Sequence, residues 1–148
     1  PPALSGAGGD IDAVLIGPLG IIVFEVKAWT GEYLARGRDW FWRAGRYGNW
    51  EPARTNPTSQ ALRNVERVKR TLQRAGQGRV TVRGVVAVAN ADMRVYLEPP
   101  LAVYLFYACQ DNPDARSLWH PFNTAPLTQD EQRRVRAALL PHLASAMA

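Results

Sequence analysis

An α/β or α+β domain, with a central mixed β-sheet flanked by helices, is the fold this sequence predicts, and three observations carry it. Short apolar runs with strand character alternate with turn signals up to Arg43. One long amphipathic stretch follows Asn56-Pro57, and two more apolar runs precede a second helical stretch near the C-terminus. With 148 residues, 47% hydrophobic and 21% charged, the chain can bury one continuous core, so a single domain over 1–148 is expected.

Each element follows from local chemistry. Pro1 to Gly9 has little to pack and reads as a loop. Ile11 to Ile16 is a strand, Gly17-Pro18-Leu19-Gly20 a tight turn, and Ile21 to Lys27 the returning strand, apolar on both faces until Glu25 and so expected inside a sheet. Gly31 to Leu34 and Asp39 to Arg43 form a further hairpin around a Gly-containing turn. Trp40 and Trp42 interleave with arginines, as base-stacking residues can, but the simpler reading has them covering one face of this hairpin. Asn56 caps and Pro57 opens a helix that runs to Ala75 and stops at Gly76. Ala61, Val65, Val68 and Leu72 form its buried stripe, with Gln60, Asn64 and Arg67 along one flank. Val80 to Ala89 and Leu101 to Tyr107 are strands that extend the sheet. Thr128 to Glu131 is a capping box, opening a helix with Val135, Leu139, Leu140 and Leu143 inward and Pro141 as a kink or stop.

Composition excludes several chemistries. A lone cysteine, Cys109, rules out an internal disulfide and a cysteine-based zinc site. His120 and His142 have no ligand spacing between them and read as structural or surface residues, which leaves histidine-based hydrolases without support. No apolar run approaches the roughly 20 residues of a membrane helix, so a cytoplasmic protein without membrane contact is expected. Eighteen Lys and Arg against thirteen Asp and Glu give a net charge of +5, which makes polyanions plausible partners without establishing one.

The residues that carry chemistry sit at the end of the second strand. Side chains alternate along a strand, so Glu25 and Lys27 share one face. Counting outward from the Gly17–Gly20 turn brings Asp12 opposite Glu25 or a neighbour. Two adjacent carboxylates repel, and a hard cation such as Mg²⁺ or Mn²⁺ offsets this at metal–oxygen distances of about 2.1 Å, with the Val26 carbonyl as a further ligand. Such a site suits phosphodiester hydrolysis, the metal activating water and Lys27 stabilising developing charge. Taken by themselves, the residues are equally consistent with a strand-end salt bridge between Glu25 and Lys27 or an arginine, worth at most about 1 kcal/mol if exposed.

The run Gly9-Asp10-Ile11-Asp12 through Phe24-Glu25-Val26-Lys27-Ala28-Trp29 resembles the signature of the nuclease-related domain (NERD) family, within the PD-(D/E)XK nuclease superfamily. Asp12 matches the motif aspartate and Glu25-Val26-Lys27 the E-x-K element, while Asn56-Pro57 with Gln60 resembles the family's helix motif, whose glutamine approaches the active site. The resemblance covers Gly9 to Leu72 well and the remainder loosely. It implies a restriction-endonuclease-like core with a Mg²⁺ site at the sheet edge held by Asp12, Glu25 and Val26, and Gln60 bonded to a water or a phosphate. Arg63, Arg67, Lys69 and Arg70 are carried as secondary nucleic-acid contacts, since helix charge of this kind is ordinarily a solvated face. Family members usually place a helix with another acidic residue before the motif aspartate; with eleven residues before Asp12, a domain lacking that N-terminal helix is the expectation. Asp10, on the strand itself, does not take that role.

Three functions remain in view: a metal-dependent DNA nuclease, a catalytically silent nuclease-like module that binds nucleic acid, and an interaction domain using a Trp40, Trp42 and Trp50 surface. Homodimerisation and fusion to other modules are compatible with each.

Overall fold

A computed structural model of the chain describes residues 10–111, 113–120 and 122–144. The loop expected over 1–9 lies outside the described residues. Eight strands and two α-helices follow in the order β1 (Ala13–Gly17), β2 (Gly20–Lys27), β3 (Gly31–Arg36), β4 (Asp39–Arg43), β5 (Glu51–Pro52), α1 (Pro57–Arg74), β6 (Val82–Val88), β7 (Met93–Glu98), β8 (Tyr104–Tyr107) and α2 (Gln129–Ala144), with a 3-10 helix, Ala115–Trp119, before α2. This is an α+β fold with mixed sheets.

The strands divide between two four-stranded sheets, β1-β2-β6-β8 and β5-β4-β3-β7. In the first, β1 is antiparallel to β2, and β6 is parallel to β2 and β8, so β2 and β6 lie inside it as their unbroken apolar runs require. Helix α1 covers the face that carries Ile21 and Val23. Its Val65, Val68 and Leu72 join those residues, Val82, and Val135 and Leu139 of α2 in one core. Gly84 of β6 allows that approach, because a Cβ there would lie 3.1 Å from Val65. The opposite face is covered by Leu118, Trp119 and Phe122, which pack on Ile22, Phe24 and Val85.

The second sheet packs its inner face against the N-terminal half of α1. Ala35, Trp40, Met93 and Val95 meet Ala61, Val86 and Val88 there. Trp40 is buried, and its indole N–H donates to Thr58 Oγ1 at 2.8 Å. Trp42, which pairs with Tyr33 on the same face, is 39% exposed at the margin. Trp50 lies across the sheet, against Arg43 (4.5 Å) and Tyr96 (5.8 Å). Trp40 and Trp42, two residues apart on β4, share one face of the sheet, whereas Arg43, against which Trp50 packs, faces the other, so the three tryptophans form no common surface.

Local signals explain the helix ends. Asn56 Oδ1 accepts from the Ser59 N–H at 3.0 Å, and Gln77 N–H returns to the Leu72 carbonyl at 2.8 Å around Gly76, whose φ of 71° suits glycine. The capping box of α2 is reciprocal, Thr128 N–H to Glu131 Oε2 and Glu131 N–H to Thr128 Oγ1. Two expectations for α2 need correction. Leu140 is 57% exposed, since Val135 and Leu139 already occupy the narrow stripe that faces α1 and β1. Of the kink or stop expected at Pro141, the stop is overturned, since the helix continues to Ala144. The strand expected from Leu101 starts at Tyr104. Strand β7 was not expected, although Met93, Val95 and Leu97 alternate with Arg94, Tyr96 and Glu98. Among the described residues no helix is long and apolar enough to cross a membrane.

Candidate active site

The register of the β1–β2 hairpin decides what stands beside Glu25. Ala13 pairs with Phe24, which brings Asp12 level with Glu25. Instead of continuing the ladder, Asp12 turns its carboxylate back, and Oδ2 accepts the Val26 N–H at 2.7 Å. The Lys27 carbonyl accepts from the N–H of Ala89, just past the end of β6, so the neighbouring Val26 directs its backbone groups to the opposite, β1 edge, beside Asp12.

Glu25 and Lys27 project toward α1 from the last turns of the apolar strand. Glu25 is 5% exposed, and Lys27 Nζ lies 2.6 Å from its Oε1. On the other side, the Asn64 amide donates to Glu25 Oε2 at 3.5 Å and its carbonyl oxygen accepts from Arg67 Nη1 at 3.3 Å. Burial raises the Glu25 pKa above the ordinary value of 4.5; hydrogen bonding and charge from Lys27 oppose the rise, Asp12 adds to it, and Arg63 opposes it. Desolvation wins despite a lysine in contact, which marks a carboxylate held under strain.

Gln60 lies one helical turn before Asn64 on the same flank of α1. Its Oε1 is buried with no hydrogen-bond partner, a costly arrangement for an amide oxygen in a folded core. The oxygens at this strand end are hard donors: the Asp12 and Glu25 carboxylates and the Val26 carbonyl. They suit Mg²⁺ or Mn²⁺, which favour such ligands and retain several waters. Among the described residues no group of three or more His, Cys, Asp or Glu side chains exists, so side chains would supply only part of the coordination shell.

A family model described as the nuclease-related domain matches residues 3–89. The chain belongs to the NERD family. NERD is a PD-(D/E)XK-like nuclease domain, and the matched span contains Asp12, Glu25, Lys27, Gln60 and Asn64, while β7, β8 and α2 lie beyond it. No curated protein and no solved structure matches the chain.

The four cations expected to meet nucleic acid are not equivalent. Arg63, Arg67 and Arg70 line a cleft of about 670 Å³ together with Arg38 from the β3–β4 turn, its four arginines outnumbering the two acids on its walls, Asp39 and Glu66. Lys69 lies outside it, on a second groove, with Glu66 at 3.4 Å. Sequence reasoning placed Asn64 on the correct flank but gave it no role, because only the packing of α1 over β2 carries it to Glu25. Arg38 was likewise invisible, being brought to α1 by a hairpin turn whose side of the sheet no local pattern specifies.

Proposed function

We propose that this NERD chain is a metal-dependent nuclease that hydrolyses phosphodiester bonds of DNA, with Mg²⁺ or Mn²⁺ held by Asp12, Glu25 and the Val26 carbonyl. The observation that carries the proposal is a buried, desolvated Glu25 with a second carboxylate beside it. A structural salt bridge accounts for Glu25 and Lys27 but not for a second carboxylate held level with them by the Val26 N–H, nor for the unpartnered Gln60 oxygen on α1. A buried carboxylate level with a second one costs stability where nothing binds beside it, which is the pattern of a site rather than of a core.

The bound cation supplies Lewis acidity, polarising a phosphoryl oxygen and lowering the pKa of water. The chain does the rest. Asp12 is held in place by the Val26 N–H, so its free oxygen is presented without reorganisation. Lys27 carries the positive charge nearest to Glu25 and stabilises the charge that develops on a phosphate bound there. Gln60 Oε1 accepts a hydrogen bond from the attacking water and so orients it. Asn64 positions Glu25 and links it to Arg67 at the edge of the arginine cleft.

Cleavage of labelled circular and linear DNA by the purified chain in Mg²⁺, Mn²⁺ or EDTA tests this directly. Activity that requires metal and falls at least about a hundredfold in Lys27→Ala, the scale of losing one preorganised electrostatic partner, is the expected result. A folded protein that binds DNA without cutting it would instead make the chain a catalytically silent module. The arginine cleft is tested separately by salt titration. Replacing Arg63 and Arg70 together with alanine is expected to weaken DNA binding for all sequences and to reduce the log–log salt slope by about 2, roughly 1 per phosphate contact.

A further inference from the structure

A second cavity opens beside the candidate active site. It measures about 620 Å³ and is lined by Trp29, Tyr33 and Trp42, with Arg54, Thr30 and Thr55 among its other walls. This size falls within the range of small-ligand pockets, about 300 to 1,000 Å³. Trp29 and Tyr33 stand 5.1 Å apart at 36°, and Trp29 is braced edge-on by the buried Trp40 at 6.5 Å. Trp42, on the same face of the sheet as Tyr33, remains 39% exposed at the rim.

The cavity adjoins the site through Trp29. Lys27 Nζ lies 2.6 Å from Glu25 Oε1 and 5.2 Å from the centre of the Trp29 ring, so Trp29 is a wall of both. A nucleic-acid strand whose phosphate faces Lys27 brings the base of an adjoining nucleotide to the cavity. Aromatic walls stack on the face of any base, and the arginine and threonines at the rim offer donors to base edges or to the next phosphate. A base inside a duplex is paired and stacked and cannot enter; only an unpaired or extruded one can.

We propose that the Trp29–Tyr33–Trp42 cavity receives one unpaired nucleobase, so that single-stranded DNA, or a frayed strand end, is the preferred substrate. The nuclease reading enters only in setting the direction of the strand past Lys27; the cavity's affinity for bases is measured without cleavage.

Fluorescence anisotropy with labelled single-stranded oligothymidylate and with a duplex, both in EDTA, tests the proposal. Wild type is expected to prefer the single strand. Trp42→Ala is expected to weaken that binding about tenfold while changing duplex affinity less than about twofold, and Trp42→Phe to restore most of the loss. An iodouracil-substituted strand irradiated on the wild-type protein is expected to crosslink at Trp29, Tyr33 or Trp42, a readout that requires no variant to fold. Unchanged single-strand affinity in Trp42→Ala, equal losses on both substrates, a duplex preference in wild type, or crosslinks confined to other residues would each overturn the proposal. Base-dependent binding without metal-dependent cleavage would leave it standing and remove the nuclease reading instead; cleavage without it would do the reverse.

Discussion

Glu25→Gln is expected to lower metal-dependent DNA cleavage at least about a hundredfold and, at neutral pH, to raise the melting temperature. The two effects share one cause. Burial lifts the Glu25 pKa above 4.5 in the folded protein, against the pull of Lys27. The folded state therefore binds more protons than the unfolded chain as pH passes upward from about 4.5, and stability declines through that window. Glutamine imitates the protonated acid and removes the decline, with the loss of the Lys27 ion pair already included in that balance. Thermal unfolding followed at pH 4 and pH 7 should show the variant above wild type at pH 7 and the difference shrinking at pH 4. Added Mg²⁺ should raise the melting temperature of wild type more than that of Glu25→Gln, because the neutral amide is a poorer ligand for a hard cation. A variant that retains cleavage, or one that melts lower than wild type at neutral pH, contradicts the strained-carboxylate account.

The second large effect is expected away from the chemistry. Gly20 closes the β1–β2 turn with φ of 138°, and a Cβ there would lie 2.5 Å from the Thr81 carbonyl oxygen and 2.8 Å from the Phe122 ring. Alanine would therefore combine backbone strain with a collision against main chain that cannot swing aside. The expected cost is about 3 kcal/mol, or roughly 6 to 12 °C in melting temperature for a chain of this size. Cleavage should fall as well, since the turn sets the register that places Asp12 level with Glu25. Calorimetry of Gly20→Ala beside the wild type decides the matter. A variant melting within about 2 °C of wild type would show that the turn relaxes without cost.

Much of the site was legible along the chain because its information is local. The short turn between Gly17 and Gly20 sets the hairpin register by counting, and the two-residue strand period puts Glu25 and Lys27 on one face. The Asn56 cap, the stripe from Ala61 to Leu72 and the Thr128–Glu131 box are likewise contacts between residues a few positions apart. Strand β7 carried the same kind of alternation and was legible in principle.

What the sequence determined by itself was therefore most of the elements, β5 and β7 apart, the inward stripe of α1, and the meeting of Asp12, Glu25 and Lys27, since turns, strand period and helix period act over a few residues. Only the tertiary structure decided that the strands part into two sheets, that Asn64 reaches Glu25 while Gln60 keeps an unpartnered oxygen, and that Trp40 is buried while Trp42 opens onto a cavity with Trp29. Each of these depends on the packing of α1 across β2 and β6 and of β4 against α1, contacts whose geometry is set by the fit of whole surfaces and leaves no periodic trace in the residues that make them.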